Sequence, residues 1–599
     1  MRFSRIAPPL LLLVTGCGGG GGESAPSRED ASIDALEDTA TSGGDAGDAI
    51  APVDTGPPPA CPGGGGPGAA PNGTVPGALS FPYPTLRNAT VEWAITGDAN
   101  NDGVVTIRFR RVGDASYRRG LPLRRTPAGA YGSFSWASRH AGSVFDLEPA
   151  TTYEVEAFLL DPDGGCEVRT GTFTTRPIPA PMAGAPVKGV TPSTLSSVIA
   201  GAAPGDILEL AEGTYAGFTF GKDGAAGKPI VLRGKGKVVI NGDVSLIGRK
   251  WVHLTDVTVN GRIRANAGVE LAITRNVVKT TSDGIDAQLR PENLYIADNT
   301  VTGATTWNEA ALGVSGSNVG EGIRVSGPGH VIEHNFVSGF RDGISFMEDS
   351  EAKDQFSIDV VENDIRNCAD DGVEADFCAH DCRIVRNRLT NTFIALSSQP
   401  GLGGPTYFIR NAMYNVILSA FKLQRASIGD VVLHNTVVKN GDALGIYTSD
   451  VFARQYFRNN LFIGGPGGNY NGYSSGSGQV IAMTAAAPSG DYDFDGFGST
   501  TGKFMGRLGA VTFASLAELR GKTTEKNAVE LGLDAFAAKI AYPTSPFPAF
   551  DVVDLSLAAA SAAVDKGMPL PNVNDGFGGA GPDLGAYEVG AKLPAYGPR

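Results

Sequence analysis

The 599-residue chain is short of histidine and cysteine, with six of each. It has no apolar run long enough to span a bilayer as a mature helix. No nucleophile elbow, phosphate-binding loop or zinc signature is present, so the motif-defined routes to those chemistries are closed. Positive charge is also in deficit: 49 Lys and Arg face 63 Asp and Glu, for a formal net charge of -14. Nucleic acid, whose phosphates need a basic face, is therefore excluded as a partner. The acidity itself reads as solubility. A chain of this length needs more than one compact unit.

The first residues read as an address. Arg2 and Arg5 precede Leu10-Leu11-Leu12-Leu13-Val14, which stops at Thr15-Gly16-Cys17. The Leu-Val-Thr-Gly-Cys ending resembles a bacterial lipobox. The resemblance implies a signal peptide over 1–16, cleavage before Cys17, lipid on Cys17 and a place in the cell envelope, at the outer membrane or cell surface. Acyl chains on one residue would hold the protein at a membrane. Residues 17–77 are rich in Gly, Ser, Asp and Pro and nearly free of aromatics. Such a stretch buries too little apolar area to fold, and it is expected to be a disordered tether.

With Cys17 lipidated, five cysteines remain. Cys378 and Cys382 lie close enough to close a small loop, and Cys61 is expected to pair with Cys166, leaving Cys368 free. Cys378, His380, Asp381 and Cys382 also read as a metal knot. The short disulfide loop is the preferred reading, because no second ligand pair follows at a suitable spacing.

Residues 78–177 alternate as strands separated by turn signals, including Thr90-Val91-Glu92-Trp93-Ala94-Ile95 and Thr152-Tyr153-Glu154-Val155-Glu156. Leu147-Glu148-Pro149-Ala150-Thr151-Thr152-Tyr153 and Trp93 resemble the tyrosine corner and buried tryptophan of fibronectin type III domains. That resemblance implies a small β-sandwich acting as a spacer or adhesive module. Asp98 to Gly103 carries only half of a calcium loop, with Phe109 where the bidentate carboxylate belongs.

Asparagine then recurs at a near-constant interval. Asn363, Asn387, Asn411, Asn435 and Asn460 are separated by 24, 24, 24 and 25 residues, and Asn276, Asn299 and Asn335 extend the series upstream. A period of this length built from short strands marks a solenoid of stacked coils. Asparagines in register can pass amide hydrogen bonds from coil to coil. The amphipathic segment 194–202, Pro204-Gly205-Asp206, Gly213-Thr214-Tyr215 and the repeated Asp-Gly-Ile marks resemble right-handed parallel β-helix proteins of the pectate-lyase-like class. The expected fold is all-β: a sandwich over 78–177, a right-handed parallel β-helix solenoid over 188–545, and a C-terminal cap over 546–599 that covers the last coil.

Aligning coils by their asparagines puts Asp286, Arg324, Ser345, Glu374, Lys422 and Tyr447 in one outward-facing row. Asp376 and Gln424 belong to the neighbouring row. Insertions at 302–320, with Trp307, at 348–354 and at 397–405 are expected to wall a groove. The β-helix lyase resemblance implies Lys422 as base, Arg324 or Arg425 stabilising charge, and Glu374 with Asp376 holding calcium. Gln424, Tyr447 and Trp307 would line the substrate groove. The full Lys-Ser and Arg-x-Asn lyase pattern is absent, and a hydrolase would use paired carboxylates drawn from Asp371, Glu374 and Asp376. The row Arg275, Asp298, His334, Glu362, Arg386, Arg410, His434 reads as a solvated charge ladder. Two functions stay open: a monomeric polysaccharide lyase-like or glycoside hydrolase-like enzyme acting on an acidic polysaccharide, and a non-catalytic surface adhesin or glycan-binding scaffold.

Overall fold

The structure, a computed structural model, describes residues 53–54, 56, 60–61, 65–69 and 71–599. The expected signal segment, the expected lipidation site Cys17 and most of the expected tether lie outside the described residues. The last part of the expected tether is not a tether. Thr74–Ser80 is a strand, and Thr74 is buried with its hydroxyl donating to Asp161 Oδ2 at 2.6 Å. Main-chain pairing and one buried hydroxyl thus fix a stretch that has little apolar area to bury. The Cys61–Cys166 disulfide clips the preceding segment to the same unit.

Two antiparallel sheets follow. One joins Thr74–Ser80, Ala89–Gly97, Arg139–Val144 and Arg124–Thr126; the other is five-stranded and centred on Val104–Arg111 and Thr152–Leu160. Trp93, Phe109 and Tyr153 fill the space between them, and the Glu148 backbone N–H donates to the Tyr153 hydroxyl at 2.9 Å.

From Val187 the chain winds into a parallel β-helix. A thirteen-stranded sheet runs from Val187–Val190 to Asp491–Asp493, and a seventeen-stranded sheet carries the other faces of each coil. Strict register builds the core: Ile332, Val360, Ile384, Phe408, Val432 and Phe457 are successive partners in one column, all inaccessible to solvent.

Each coil turns the corner after this sheet through a residue in the left-handed region, such as Glu362 (φ 55°), Arg386 (53°) and Arg410 (54°). That conformation is costly for a non-glycine residue. The asparagine after it supplies the compensation. Asn411 Nδ2 donates to Ile384 O at 2.9 Å and to Asn435 Oδ1 at 3.0 Å, while its own Oδ1 accepts from the backbone N–H and Nδ2 of Asn387. The same pattern runs unbroken from Asn276 to Asn460 and ends on Asp495. A second, shorter ladder links Asn367, Asn391 and Asn415 at another corner.

The residues preceding the asparagines are not a freely solvated row. Arg386 bonds Glu362 at 3.0 Å and reaches Asp146 of the sandwich at 2.8 Å, and His434 is buried against Asn459 and Asn574. The sandwich is likewise no free spacer. Arg383, fully buried, donates to Asp359 Oδ1 at 2.5 Å, Ser143 Oγ at 3.0 Å and Thr90 Oγ1 at 3.2 Å, welding the sandwich to the thirteen-stranded sheet.

Two short helices plug the ends of the coil core. Leu195–Ala200 inserts Leu195 and Ile199, and Leu516–Lys522 inserts Leu519. The tail is therefore not the expected end cap. Leu555, Leu557, Leu584 and Ala586 pack on Tyr414, Val438, Leu461 and Ile463, and Arg599 bonds Asp298, so the tail runs back along the flank. A row of apolar side chains at the outer corner of the coils gives it a bed that the already plugged end does not.

Asn411→Ala removes one rung and leaves buried donors and acceptors unpaired above and below it. The expected cost is about 3 kcal/mol in chemical denaturation. A loss under about 1 kcal/mol would contradict the ladder's role.

Candidate active site

The outward row converges on a charged cluster. Backbone register places Asp286, Arg324, Ser345, Glu374, Ser397 and Lys422 in one column. Ser397, absent from the expected row, fills the coil between Glu374 and Lys422. The shift arises from bulges between Cys368 and Asp371 and between Val416 and Ser419, each of which carries one residue more than the facing Thr392–Ile394.

The bulge also re-aims Asp370. Asp342 opens the strand Asp342–Phe346 and Asp371 lies within Asp364–Glu374, each followed by glycine and an inward apolar residue, while Asp370 lies on the bulge and is partly exposed. One oxygen from each of the three lies within 4.8 Å of the others. Asp342 is held by Arg341 Nε at 2.7 Å and by the Asp371 backbone N–H at 2.9 Å. Lys422 Nζ is in contact with Asp371 Oδ2 and lies 3.6 Å from Glu374 Oε1, reaching across Ser397 to do so. Asp376 Oδ1 accepts from Ser397 Oγ at 2.5 Å and from the Gln399 N–H at 2.8 Å. Asp371 Oδ1 and Asp376 Oδ2 are buried with no hydrogen-bond partner.

Five carboxyl groups thus share two cations, Lys422 and Arg341, in an enclosed space. They cannot all ionise at neutral pH. Burial, then Asp371 and Asp342, push the Asp370 carboxyl well up; burial, then Asp342 and Asp376, do the same to Glu374. Burial raises Asp376 to about 8 against the pull of Lys422. Burial works against the Lys422 ammonium, but Asp371, Asp376, Glu374 and Asp370 together hold its pKa well above the usual lysine value.

The surroundings of Lys422 work against a general-base role. A base must be able to give up its proton near working pH, and four carboxyl groups prevent that. The oxygens expected to hold calcium, those of Glu374 and Asp376, are in part already engaged. Calcium needs six to eight oxygens, whereas here an ammonium, a hydroxyl and a backbone N–H already engage the pair. Arg324 does not join the cluster: four strand steps, about 19 Å, separate it from Lys422, and Asp283, Asp286 and Glu321 hold it. Arg425 pairs with Glu348 at 3.7 Å and Asp349 at 3.2 Å over the Phe377 ring, on the rim. Gln424 donates to Tyr447 O, while the Tyr447 hydroxyl is tied to Asp442 and Ser475 O. Trp307 grips the tail through Pro546 O and Phe547 rather than lining a groove.

Two ridges flank the cluster. On one side Gly313 donates to Ala369 O beside Asp370, and Tyr473 packs against Phe393 at 4.9 Å. On the other stand the 348–354 segment and the sandwich hairpin Gly129–Trp136, whose Phe134 lies 5.3 Å from Phe377. Asp342 and Asp370 were the functional candidates the sequence reading passed over. The available signal was the acidic residue before glycine in successive coils: Asp283, Glu321, Asp342 and Asp371.

No protein-family model matches the chain, and no curated protein does. Among solved structures, the family 28 exopolygalacturonase of Yersinia enterocolitica aligns with 71% of this chain and 95% of its own, at 11% identity and a TM-score of 0.35. A likeness at that level assigns no chemistry.

The raised Asp376 makes stability fall with pH. Its folded pKa of about 8 exceeds the ordinary 3.8, so its contribution is complete below about pH 4 and is lost as pH rises through 8. Asp376→Asn, neutral throughout, should flatten the decline of the thermal midpoint between pH 5 and 8. An unchanged slope would show that Asp376 is ionised in the folded protein.

Proposed function

We propose that the protein is an exported carbohydrate-active β-helix protein that binds an extended polysaccharide across the seventeen-stranded face and hydrolyses it at the Asp342–Asp370–Asp371 cluster. The observation that carries this reading is the state of Asp370. Its side chain is partly exposed, its carboxyl has no hydrogen-bond partner, and burial, then Asp371 and Asp342, drive it well up. A carboxylic acid that keeps its proton near neutral pH is what a leaving glycosidic oxygen requires. Lys422 opposes the burial that raises Asp371 and so favours the carboxylate there. Asp371, with Asp342, is then the carboxylate side that works opposite the acid. Glu374 and Asp376 act through Lys422 and Ser397 as positioning residues.

Several further parts of the reading rest on sequence alone. Arg2, Arg5, the apolar run and Cys17 support a lipid anchor in the cell envelope. The tyrosine corner supports a fibronectin type III-like identity for the sandwich. We take the chain as a monomer, with the domains expected above, except that the sandwich starts at Thr74 or before and the tail is a lateral strap. The charge of the sugar is the open chemical variable, because Lys422 is already committed to protein carboxylates.

The test is incubation of the full chain with neutral and uronate polysaccharides, following new reducing ends and ultraviolet-absorbing unsaturated products separately. Reducing ends without unsaturation are expected, with the rate falling as pH rises past the Asp370 pKa. Asp370→Asn should lower turnover by about 10²–10⁴-fold while leaving glycan binding in place. Unsaturated product would restore a lyase. Binding with no turnover on any substrate would favour the adhesin or scaffold reading.

A further inference from the structure

A second cluster sits where the sandwich meets the coil. Glu92 lies on the sandwich strand Ala89–Gly97, and His380 and Asp381 lie in the small loop closed by the Cys378–Cys382 disulfide. His380 Nδ1 is 3.0 Å from Glu92 Oε1 and 3.6 Å from Asp381 Oδ2. These three atoms are all shielded from solvent, and none makes a hydrogen bond of full length and angle. Asp381 as a whole is inaccessible.

We infer that this is a divalent transition-metal site, of the kind that takes Zn²⁺, built across the two domains from Glu92, His380 and Asp381. The spacing fits: bonds of about 2.0–2.1 Å to a tetrahedral ion put neighbouring ligand atoms about 3.3–3.4 Å apart, between the two measured separations. An imidazole in the set favours such an ion over calcium or magnesium. The remaining parts of a ligand site are in place. Asp381 Oδ1 accepts from Ser143 Oγ at 2.8 Å, which orients the carboxylate, and Phe356 stacks on the His380 ring at 4.6 Å and 15°. Asp381 adopts φ 53° within the disulfide loop, so the ligand pair is presented by a constrained backbone. A cavity of 640 Å³ lined by His380, Ala379 and Arg139 adjoins the cluster and has room for a water as fourth ligand. Arg139 Nε lies 3.3 Å from Glu92 Oε1, and its Nη2 donates to Ala379 O at 3.4 Å. Two carboxylates balance a divalent ion, leaving Arg139 as the one excess charge. The ion acts as a clasp between sandwich and solenoid.

The test uses the full chain without an affinity tag, stripped of metal and then titrated with Zn²⁺ and with Co²⁺. One equivalent should bind, Zn²⁺ should raise the thermal midpoint, and Co²⁺ should give the intense visible bands of a four-coordinate N/O site. Glu92→Gln and His380→Ala should each abolish those bands; Glu92→Gln keeps the side-chain shape and guards against a folding artefact. No bound ion, or bands that persist in both variants, would overturn the site. In that case an imidazolium paired with two carboxylates accounts for the cluster, and Zn²⁺ leaves the midpoint where it was.

Discussion

Every part of this structure depends on coils stacking in strict register, and the interaction that enforces it is the buried asparagine ladder. A left-handed corner in each coil is locally unfavourable, and the amide that follows converts it into a repeated set of satisfied hydrogen bonds. A one-residue slip would break the ladder and also move apolar side chains out of the core. Register is thus held by two independent penalties. That constraint brings Asp342, Asp371 and Lys422, far apart in sequence, into contact distance of one cluster.

The ladder was the most legible feature of the sequence because a constant period needs no knowledge of side-chain direction. Its companion through Asn367, Asn391 and Asn415 has the same 24-residue spacing but lies within long strands, where no boundary draws the eye. The acidic column was visible as Asp-Gly marks and was understood as fold punctuation. What could not be read was the pair of bulges. They leave Arg388–Ser398 one residue short of both neighbouring strands, so that Ser397 falls between Glu374 and Lys422 and Asp370 lies on a bulge, whereas the sequence shows only that Phe393-Ile394-Ala395-Leu396 aligns with a gap. The roles given to Arg324, Arg425, Tyr447 and Trp307 failed for a common reason. Each is already committed to a structural partner that a linear alignment of coils does not show.

The sandwich and tail were legible as units and illegible as neighbours. Beside apolar contacts such as Phe145 on Tyr407, the interface is fixed by polar residues, Thr90, Ser143, Asp359 and Arg383, which in sequence look like ordinary exposed positions of strands. A buried arginine paired with an aspartate and capped by hydroxyls fixes orientation more than it adds stability. It also places the Gly129–Trp136 hairpin on the rim of the acid-rich face, so the sandwich becomes part of the wall. The tail performs the matching task on the opposite flank by covering the apolar corner residues of the later coils.

The chemical account reduces to one statement: more carboxyl groups than cations are enclosed around Lys422, so at least one keeps its proton at neutral pH. Infrared spectroscopy of the folded protein in heavy water at neutral pH addresses this directly. The account predicts a carbonyl band of protonated carboxylic acid at neutral pH that weakens in Asp370→Asn and Asp376→Asn. A spectrum containing only ionised carboxylate would contradict it and would remove the acid on which the proposed hydrolysis depends.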